Sequence, residues 1–523
     1  KLLAYGWSSL RSRQALRDQV VAALIAARAT GWEGLLAEQR AYLDEFWDGA
    51  LVEVDGDPEV EQAVRYALFQ VLQAGARAER RAIPAKGLTG TGYDGHTFWD
   101  TEMFVLPVLT YTFPQAAADA LRWRHSTLPV ARERARSLGL GGATFPWRTI
   151  AGEECSGYWP AGTAAFHVNA DVADGVIRYV DATGDEDFER DVGVEILVET
   201  ARLWCSLGHH DRHGRFRIPG VTGPDEYSAL SDDNVYTNLM AQRNLRAAAD
   251  AVKRHEVLAR ALGVEEAETA AWREAAEAML VPYDEELGVH PQAAGFTDHR
   301  RWDFESTRPD QYPLFLNFPY FDLYRKQVIK QADLVLAMHL RGDAFTAEQK
   351  VRNFEYYEPL TVRDSSLSAA SQAVMAAETG HLELAYEYLS EACLVDLQNL
   401  QFNTGNGLHL AALAGGWSAL VAGFGGFRVS DGTVAFAPRL PPTINSLSFR
   451  LRYRDRRLRV SAAAGEATYE LLHGKPLEIT HHGEALVLTD TEPVTRAIPP
   501  TTPRPRPRQP PGRAPVRRRS LAE

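Results

Sequence analysis

At 523 residues, with 45% hydrophobic and 24% charged side chains, the chain has the composition of an ordinary soluble protein long enough for more than one domain. Its 56 Lys and Arg against 69 Asp and Glu leave a net charge of −13, which argues against nucleic acid as a partner of the whole molecule. Cys155, Cys205 and Cys393 are too few and too far apart for a disulfide framework or a zinc site, so a reducing cytoplasm is the expected compartment.

The chain opens on Lys1 rather than Met, and no signal-peptide pattern follows. A start inside a larger protein or domain is therefore expected. No apolar run approaches the ~18 residues that would suggest a membrane span, and the short apolar stretch 20–27 reads as a helix against a core. From there to about residue 425 the pattern is mainly helical. Apolar positions from Phe166 recur at 169/170, 173, 176/177 and 180, and the stripe ends at Gly184. Leu382, Ala385, Leu389 and Ala392/Cys393 keep the same period, and strong helix formers dominate 235–280 and 330–341. Long aromatic and Gly-rich loops separate these helices at 84–101, 139–163, 209–234, 299–320 and 353–368. Loops longer than a connection requires usually carry function. Helices with functional loops at their ends suggest a toroid or solenoid, and no short exact repeat marks an array.

Within the third loop, Gly223 and Pro224 favour a turn, which places Asp225 and Glu226 where a scaffold can aim a carboxylate. A like charge beside a carboxyl tends to raise its pKa, which suits a general acid. The competing reading of the same residues is a solvated acidic turn, and on spacing alone that reading is favoured. Past residue 423 the period changes. Leu447, Phe449, Leu451 and Tyr453 alternate with Ser448, Arg450, Arg452 and Arg454, the mark of a half-buried strand, so 426–492 is expected to be a small sheet domain. From about 493 the chain is Pro/Arg-rich and is expected to be disordered. Residues 496–523 carry eight Arg and one acid, so this tail is +7 against −20 for the rest. A solvated tail is the favoured reading over one that seeks phosphate.

Five segments in order are similar to glycoside hydrolase family 65, the family of maltose, trehalose and kojibiose phosphorylases. They are Lys86-Gly87-Leu88-Thr89 running on to Phe98-Trp99-Asp100-Thr101-Glu102; Tyr158-Trp159-Pro160-Ala161-Gly162-Thr163; Gly220-Val221-Thr222-Gly223-Pro224-Asp225-Glu226-Tyr227-Ser228; Lys330-Gln331-Ala332-Asp333; and Arg363-Asp364-Ser365-Ser366-Leu367-Ser368. The match runs across roughly residues 50 to 490. The resemblance implies a mainly α fold, an (α/α)6 barrel with a small C-terminal β-sheet domain. It divides the chain into remnant or linker helices at 1–50, the catalytic barrel at 51–425, the sheet domain at 426–492 and the tail at 493–523. The family's large N-terminal β-sandwich is expected to be mostly missing.

The resemblance further implies an inverting reaction with Glu226 as the one enzymic general acid and inorganic phosphate as nucleophile and co-substrate. An inverting hydrolase needs a second carboxylate to activate water, whereas phosphate needs cations and hydrogen-bond donors. Arg363, Ser365 and Ser366 supply that chemistry and are the implied phosphate ligands. At 363 family phosphorylases often hold His and hydrolytic relatives an acid; Arg cannot act as the base, so phosphorolysis is favoured over hydrolysis. For Arg363 taken alone, a surface ion pair with Asp364 or Glu358 is the favoured reading. Trp99, Asp100, Lys330 and Gln331 match the glucose grip: an indole face for a pyranose and polar groups for its hydroxyls. Core packing for Trp99 and an exposed helix position for Lys330 are the alternatives. Tyr158, Trp159, His167 and His409 rank second, with His167 read as a structural histidine.

The expected reaction is phosphorolysis of an α-linked glucose disaccharide of trehalose, maltose or kojibiose type. An inverting α-glucoside hydrolase and a non-catalytic carbohydrate-binding barrel are the alternatives. No metal and no organic cofactor are expected, since His209-His210 has no carboxylate partner at helical spacing and Gly90, Gly92 and Gly95 follow no strand. The expected partners are the disaccharide and phosphate, without nucleic acid or membrane; a homodimer stays open.

Overall fold

The computed structural model describes residues 1–6, 11–76, 81–157, 159–430, 432–463, 465–502 and 504–515. Two compact units emerge, Lys1–Leu51 and Val52–Glu523. In the first, helix α1 (Arg13–Ala50) starts on Ser12, whose Oγ accepts from the Ala15 amide at 3.2 Å. It breaks at Gly31, which takes a left-handed φ of 71° that glycine alone adopts freely. By length and composition α1 is long and apolar enough to cross a membrane, the one described helix that is, whereas the sequence reading found no such run. The stretch 20–27 was expected against a core, yet Val21 and Ile25 are 45% and 64% exposed.

The second unit opens with strand β1 (Val52–Asp55) and continues as six helix pairs. In chain order they are α2 (Pro58–Ala76) with α3 (Leu106–Thr112), α4 (Pro114–Ser126) with α5 (His167–Thr183), α6 (Val194–Leu207) with α7 (Val235–Arg254), α8 (Glu266–Glu277) with α9 (Asp333–Leu340), α10 (Ala347–Tyr357) with α11 (Ser368–Glu378), and α12 (Leu382–Leu394) with α13 (Leu410–Ser418). The second members touch in sequence, α3 on α5, α5 on α7, α7 on α9, α9 on α11 and α11 on α13, and α13 returns to α3. The inner ring is therefore closed, and α2, α4, α6, α8, α10 and α12 pack outside it. This is the (α/α)6 barrel.

Local chemistry sets the helix ends. Gly184 closes α5 in the left-handed conformation, and Asn234 caps α7 by accepting from the Thr237 amide at 2.9 Å. Thr346 and Gln349 form a reciprocal capping box on α10. Helices of the inner ring are covered on both sides, which explains why α11 and α13 carry Ala369, Ala370, Ala373, Ala376, Gly415 and Gly416, all buried. Small side chains let neighbouring backbones approach closely.

After the ring come β2 (Arg428–Ser430), β3 (Thr433–Phe436), β4 (Ser446–Tyr453), β5 (Arg456–Ala463), β6 (Glu466–His473), β7 (Leu477–His481), β8 (Glu484–Leu488) and β9 (Val494–Ala497). They form two sheets rather than one, ordered β1-β4-β5-β6-β9 and β8-β7-β3-β2. Leu447, Phe449, Leu451 and Tyr453 all face inward as their alternation predicted, and Phe436 of one sheet meets Phe449 and Tyr469 of the other. The sheet also takes in strands from outside 426–492. β1 pairs antiparallel with β4 at Val52↔Phe449, and β9 with β6 at Tyr469↔Val494.

The tail also departs from expectation. Over its described residues 504–515 it lies on the barrel: Arg506 pairs with Glu387 at 2.6 Å, Gln509 donates to Glu358 at 2.9 Å and Arg513 donates to the Val362 carbonyl at 2.6 Å. A Pro-rich segment cannot build its own core, but these anchors belong to the barrel. Residues 503 and 516–523 of the expected disordered tail lie outside the described residues.

Candidate functional site

The loop between α6 and α7 carries Glu226, and its shape is set by buried polar contacts. Asp225 turns inward, fully buried, and accepts from the Lys330 amide at 2.9 Å, Gln292 Nε2 at 2.9 Å and the Tyr227 amide at 3.2 Å. Its own amide donates to Asp333 Oδ1 at 2.5 Å, and Asn234 Nδ2 donates to Asp333 Oδ2 at 2.6 Å. Burial pushes the carboxyls of Asp225 and Asp333 upward, and for Asp333 the adjacent Asp225 charge adds to it. Gly223 is required by space: a Cβ there would stand 2.2 Å from Asp333 Oδ2 and 2.4 Å from Asn234 Nδ2. Asp225 thus shapes the turn, and Glu226 is left to point out of it.

Glu226 Oε2 meets Lys330 Nζ at 2.6 Å, with each side chain 15% exposed. Lys330 is therefore not an exposed helix lysine. Burial alone would lower its pKa, but the Glu226 carboxylate reverses this and the net direction is up. Lys330 Nζ also lies 5.3 Å from the centroid of the Phe315 ring. Asp100 belongs to the same electrostatic group. Its carboxyl is raised from 3.8 to about 7, by burial first and then by the Glu226 charge, while Lys330 acts in the opposite sense.

Gln331 joins the acid loop to the segment 363–368. Its amide nitrogen donates to the Pro224 carbonyl, and its amide oxygen accepts from Ser365 Oγ. Next to it, Ser368 Oγ donates to the Lys330 carbonyl at 3.0 Å. Tyr227 adds a further tie, donating to Asp364 Oδ2 at 2.6 Å and accepting from the Phe315 amide at 3.1 Å. Arg363, Ser365 and Ser366 line one cavity of about 570 Å³ together with Phe315, Glu391 and Arg513.

Two expected roles do not match their surroundings. Trp99 is 3% exposed and packs edge-on against His167 at 5.1 Å and Phe104 at 5.7 Å. The space it lines with Pro224, Gln331 and Leu367 is about 20 Å³, room for one water rather than a pyranose. Trp99 forms a floor under the acid loop. Arg363 has a left-handed φ of 54° and is buried, its Nε and Nη2 on Glu391 at 3.2 Å, its Nη1 on the Arg513 carbonyl and its guanidinium 5.2 Å from the Tyr388 ring centroid. Neither Asp364 nor Glu358 is its ion-pair partner; Glu391 takes that place because α12 brings it alongside. The sequence could not show this contact, since the two residues are 28 apart.

The open aromatic faces join Trp159, a second-rank candidate of the sequence reading, to Trp147, Tyr320 and Tyr93, which motif reading did not single out. Trp159 contacts Trp147 at 5.4 Å and Tyr320 at 6.1 Å, and Tyr320 contacts Tyr227 at 6.4 Å. Burial raises the Tyr320 hydroxyl to about 12, and the charges of Lys330 and Glu226 both act on it. Tyr93, half exposed, senses Asp100, Lys330 and Glu226. The signal for Tyr93, Trp147 and Tyr320 was the aromatic richness of loops 84–101, 139–163 and 299–320. Tyr158 lies outside the described residues. His409 Nδ1 donates to Asp396 Oδ1, 2.7 Å away, and Lys86 lies near both Asp396 and Asp100 with its pKa lowered by burial. His167 pairs with Asp171 at 2.8 Å inside the barrel wall. Gly90 is required by packing: a Cβ would fall 2.5 Å from the Asn406 carbonyl.

Residues 65–418 match the glycosyl hydrolase family 65 central catalytic domain, and residues 427–488 match the family's C-terminal domain. An uncharacterized glycosyl hydrolase of Mycobacterium tuberculosis is 61% identical over 525 residues, covering 100% of this chain. The chain spans 66% of that relative's length. The alpha,alpha-trehalose phosphorylase of Geobacillus stearothermophilus is 44% identical over 88% of this chain and 61% of its own, and the maltose phosphorylase of Bacillus subtilis 35% identical over 85% and 59%. A solved structure of a putative kojibiose phosphorylase from human microbiome superposes with a TM-score of 0.87 at 28% identity, over 93% of this chain and 69% of its own. With both domain matches falling on the helical ring and the sheets that follow it, the chain belongs to glycosyl hydrolase family 65.

Proposed function

We propose that the protein cleaves an α-linked glucose disaccharide by inverting phosphorolysis, releasing β-glucose 1-phosphate and a free sugar. Glu226 is the general acid, and inorganic phosphate is the nucleophile. The observation that carries the reading is the double contact of Gln331 with the Pro224 carbonyl and with Ser365 Oγ. It holds the proposed acid and the proposed phosphate segment on one frame, as an in-line displacement requires. Both carboxylates on the wall of the adjoining cavity, Glu391 and Asp364, are paired with guanidinium groups, so the cavity suits an anion better than it suits a base for water.

In the reaction a phosphate oxygen attacks the anomeric carbon as the glycosidic C–O bond breaks. Glu226 gives its proton to the departing oxygen, and the proton that hydrogenphosphate loses restores the acid. The ion pair with Lys330 is a contact of the carboxylate form, so the ammonium must turn to another acceptor before Glu226 can donate. A sugar hydroxyl is such an acceptor, which couples glucose binding to arming of the acid. Asp100, Lys330 and Gln331 surround the glucose, with Tyr93, Trp159 and Tyr320 as apolar faces. Among the disaccharides, trehalose is the first candidate, because the named trehalose phosphorylases are 42% and 44% identical and the maltose enzyme 35%.

The test is to incubate the protein with trehalose, maltose and kojibiose with and without phosphate. Phosphate-dependent release of β-glucose 1-phosphate is expected. Equal glucose release without phosphate would establish the hydrolytic alternative, and sugar binding without cleavage of any disaccharide would establish the binding barrel.

A further inference from the structure

The C-terminal segment was expected to be a solvated tail, yet Gly512, Arg513 and Ala514 form part of the wall of the cavity that holds Ser365 and Ser366. Two guanidinium groups, from Arg363 and Arg513, share this wall, and they differ in what they have left to offer. Arg363 is 5% exposed in its side chain, and all three of its nitrogens already donate, two to Glu391 and one to the Arg513 carbonyl. Arg513 is 24% exposed, with Nε on the Val362 carbonyl at 2.6 Å and Nη2 on Asp364 Oδ1 at 2.8 Å. Its Nη1 hydrogen-bonds nothing among the described residues, and its guanidinium carbon is fixed 4.7 Å from the Tyr312 ring centroid.

The Arg363 charge also acts on Arg513: after burial and the opposing pull of Asp364, it holds Arg513 down. An anion between them would relieve that repulsion. We propose that Arg513 is a phosphate-binding residue of this cavity, donating alongside the hydroxyl of Ser366, while Arg363 positions it by gripping its carbonyl. The C-terminal segment is then a strap that completes the anion site from the far end of the chain. The inference rests on the phosphorolysis reading for the identity of the anion, and on geometry for the residue.

Two measurements on the full chain separate the possibilities. Calorimetric titration with inorganic phosphate reads binding without turnover. Kinetics with phosphate and disaccharide varied independently read each KM. Arg513→Met is expected to weaken phosphate binding by ~10–150-fold, the range for a charge-assisted hydrogen bond, and to raise the phosphate KM correspondingly with the disaccharide KM within about twofold. Arg513→Lys keeps the charge and loses the fork, so it should recover part of the affinity. The inference is overturned if the parent binds no phosphate, if Arg513→Met binds phosphate as the parent does, or if Met and Lys variants lose equal affinity together with equal loss of melting temperature, which would make the role structural. Phosphate binding without phosphate-dependent cleavage would instead refute the phosphorolysis reading and leave the Arg513 comparison intact.

Discussion

Lys330 Nζ stands 2.6 Å from Glu226 Oε2 in a largely buried pair. The pair occupies both groups, and on the proposed mechanism a substrate hydroxyl competing for the ammonium would free the carboxyl. Replacing Lys330 by Ala removes that exchange. The disaccharide KM is expected to rise ~10–150-fold, the value of one hydrogen bond to a charged group, while the phosphate KM changes little. Initial rates with the two substrates varied separately provide the check.

Glu226→Gln keeps size and polarity but has no proton to give. Phosphate-dependent cleavage of the disaccharide should fall by ~10²–10⁴-fold, the range of general acid catalysis. A glucosyl fluoride, whose leaving group needs no proton, should remain a far better substrate for the variant than the disaccharide. A variant that cleaves the disaccharide at the parent rate would remove Glu226 from the mechanism.

Gly223→Ala tests the packing of the acid loop. The new Cβ would meet Asp333 Oδ2 at 2.2 Å and Asn234 Nδ2 at 2.4 Å, both on buried side chains with no room to retreat. A stability loss of ~1–3 kcal/mol is expected from overpacking, seen as a lowered melting temperature. The loss of activity should exceed the loss of folded protein, because the displaced loop carries Glu226.

Asp100 supplies a pH signature. Its carboxyl is raised from 3.8 to about 7, so the folded protein holds this proton more tightly than the unfolded chain does. Below 3.8 both states are protonated and the residue costs nothing; between 3.8 and about 7 the folded state loses stability as pH rises; above about 7 the penalty is complete. Asp100→Asn removes this dependence. Melting curves at pH 5 and pH 7.5 should therefore show the variant gaining on the parent as pH rises, and no change in the difference would count against the raised carboxyl.

Much of this architecture was legible in sequence because its signals are local. The stripe from Phe166 and the glycine that ends it became α5 and its left-handed cap at Gly184. The alternation from Leu447 to Tyr453 became β4. What escaped depends on contacts between distant residues. Nothing near Arg363 points to Glu391, and nothing in a Pro/Arg composition says that Arg513 finds Asp364 and the Val362 carbonyl. Composition measures what a segment can bury by itself, and the tail draws its order from the barrel instead. Trp99 went the other way: a tryptophan beside an aspartate suggested a sugar platform, but its neighbours Phe104, His167 and Tyr236 close around it.

The pairing of β1 with β4 has a bearing on how these proteins can be recombined. The strand that opens the catalytic unit is an edge of the sheet that ends it, joined through Val52↔Phe449, Glu53↔Ser448, Val54↔Leu447 and Asp55↔Ser446. The C-terminal module is thus discontinuous along the chain. A chimera that exchanges only the residues after the helical ring would graft a foreign sheet onto a resident strand. A workable exchange carries 52–55 along with the later strands, because the strand before the ring and the strands after it make one sheet.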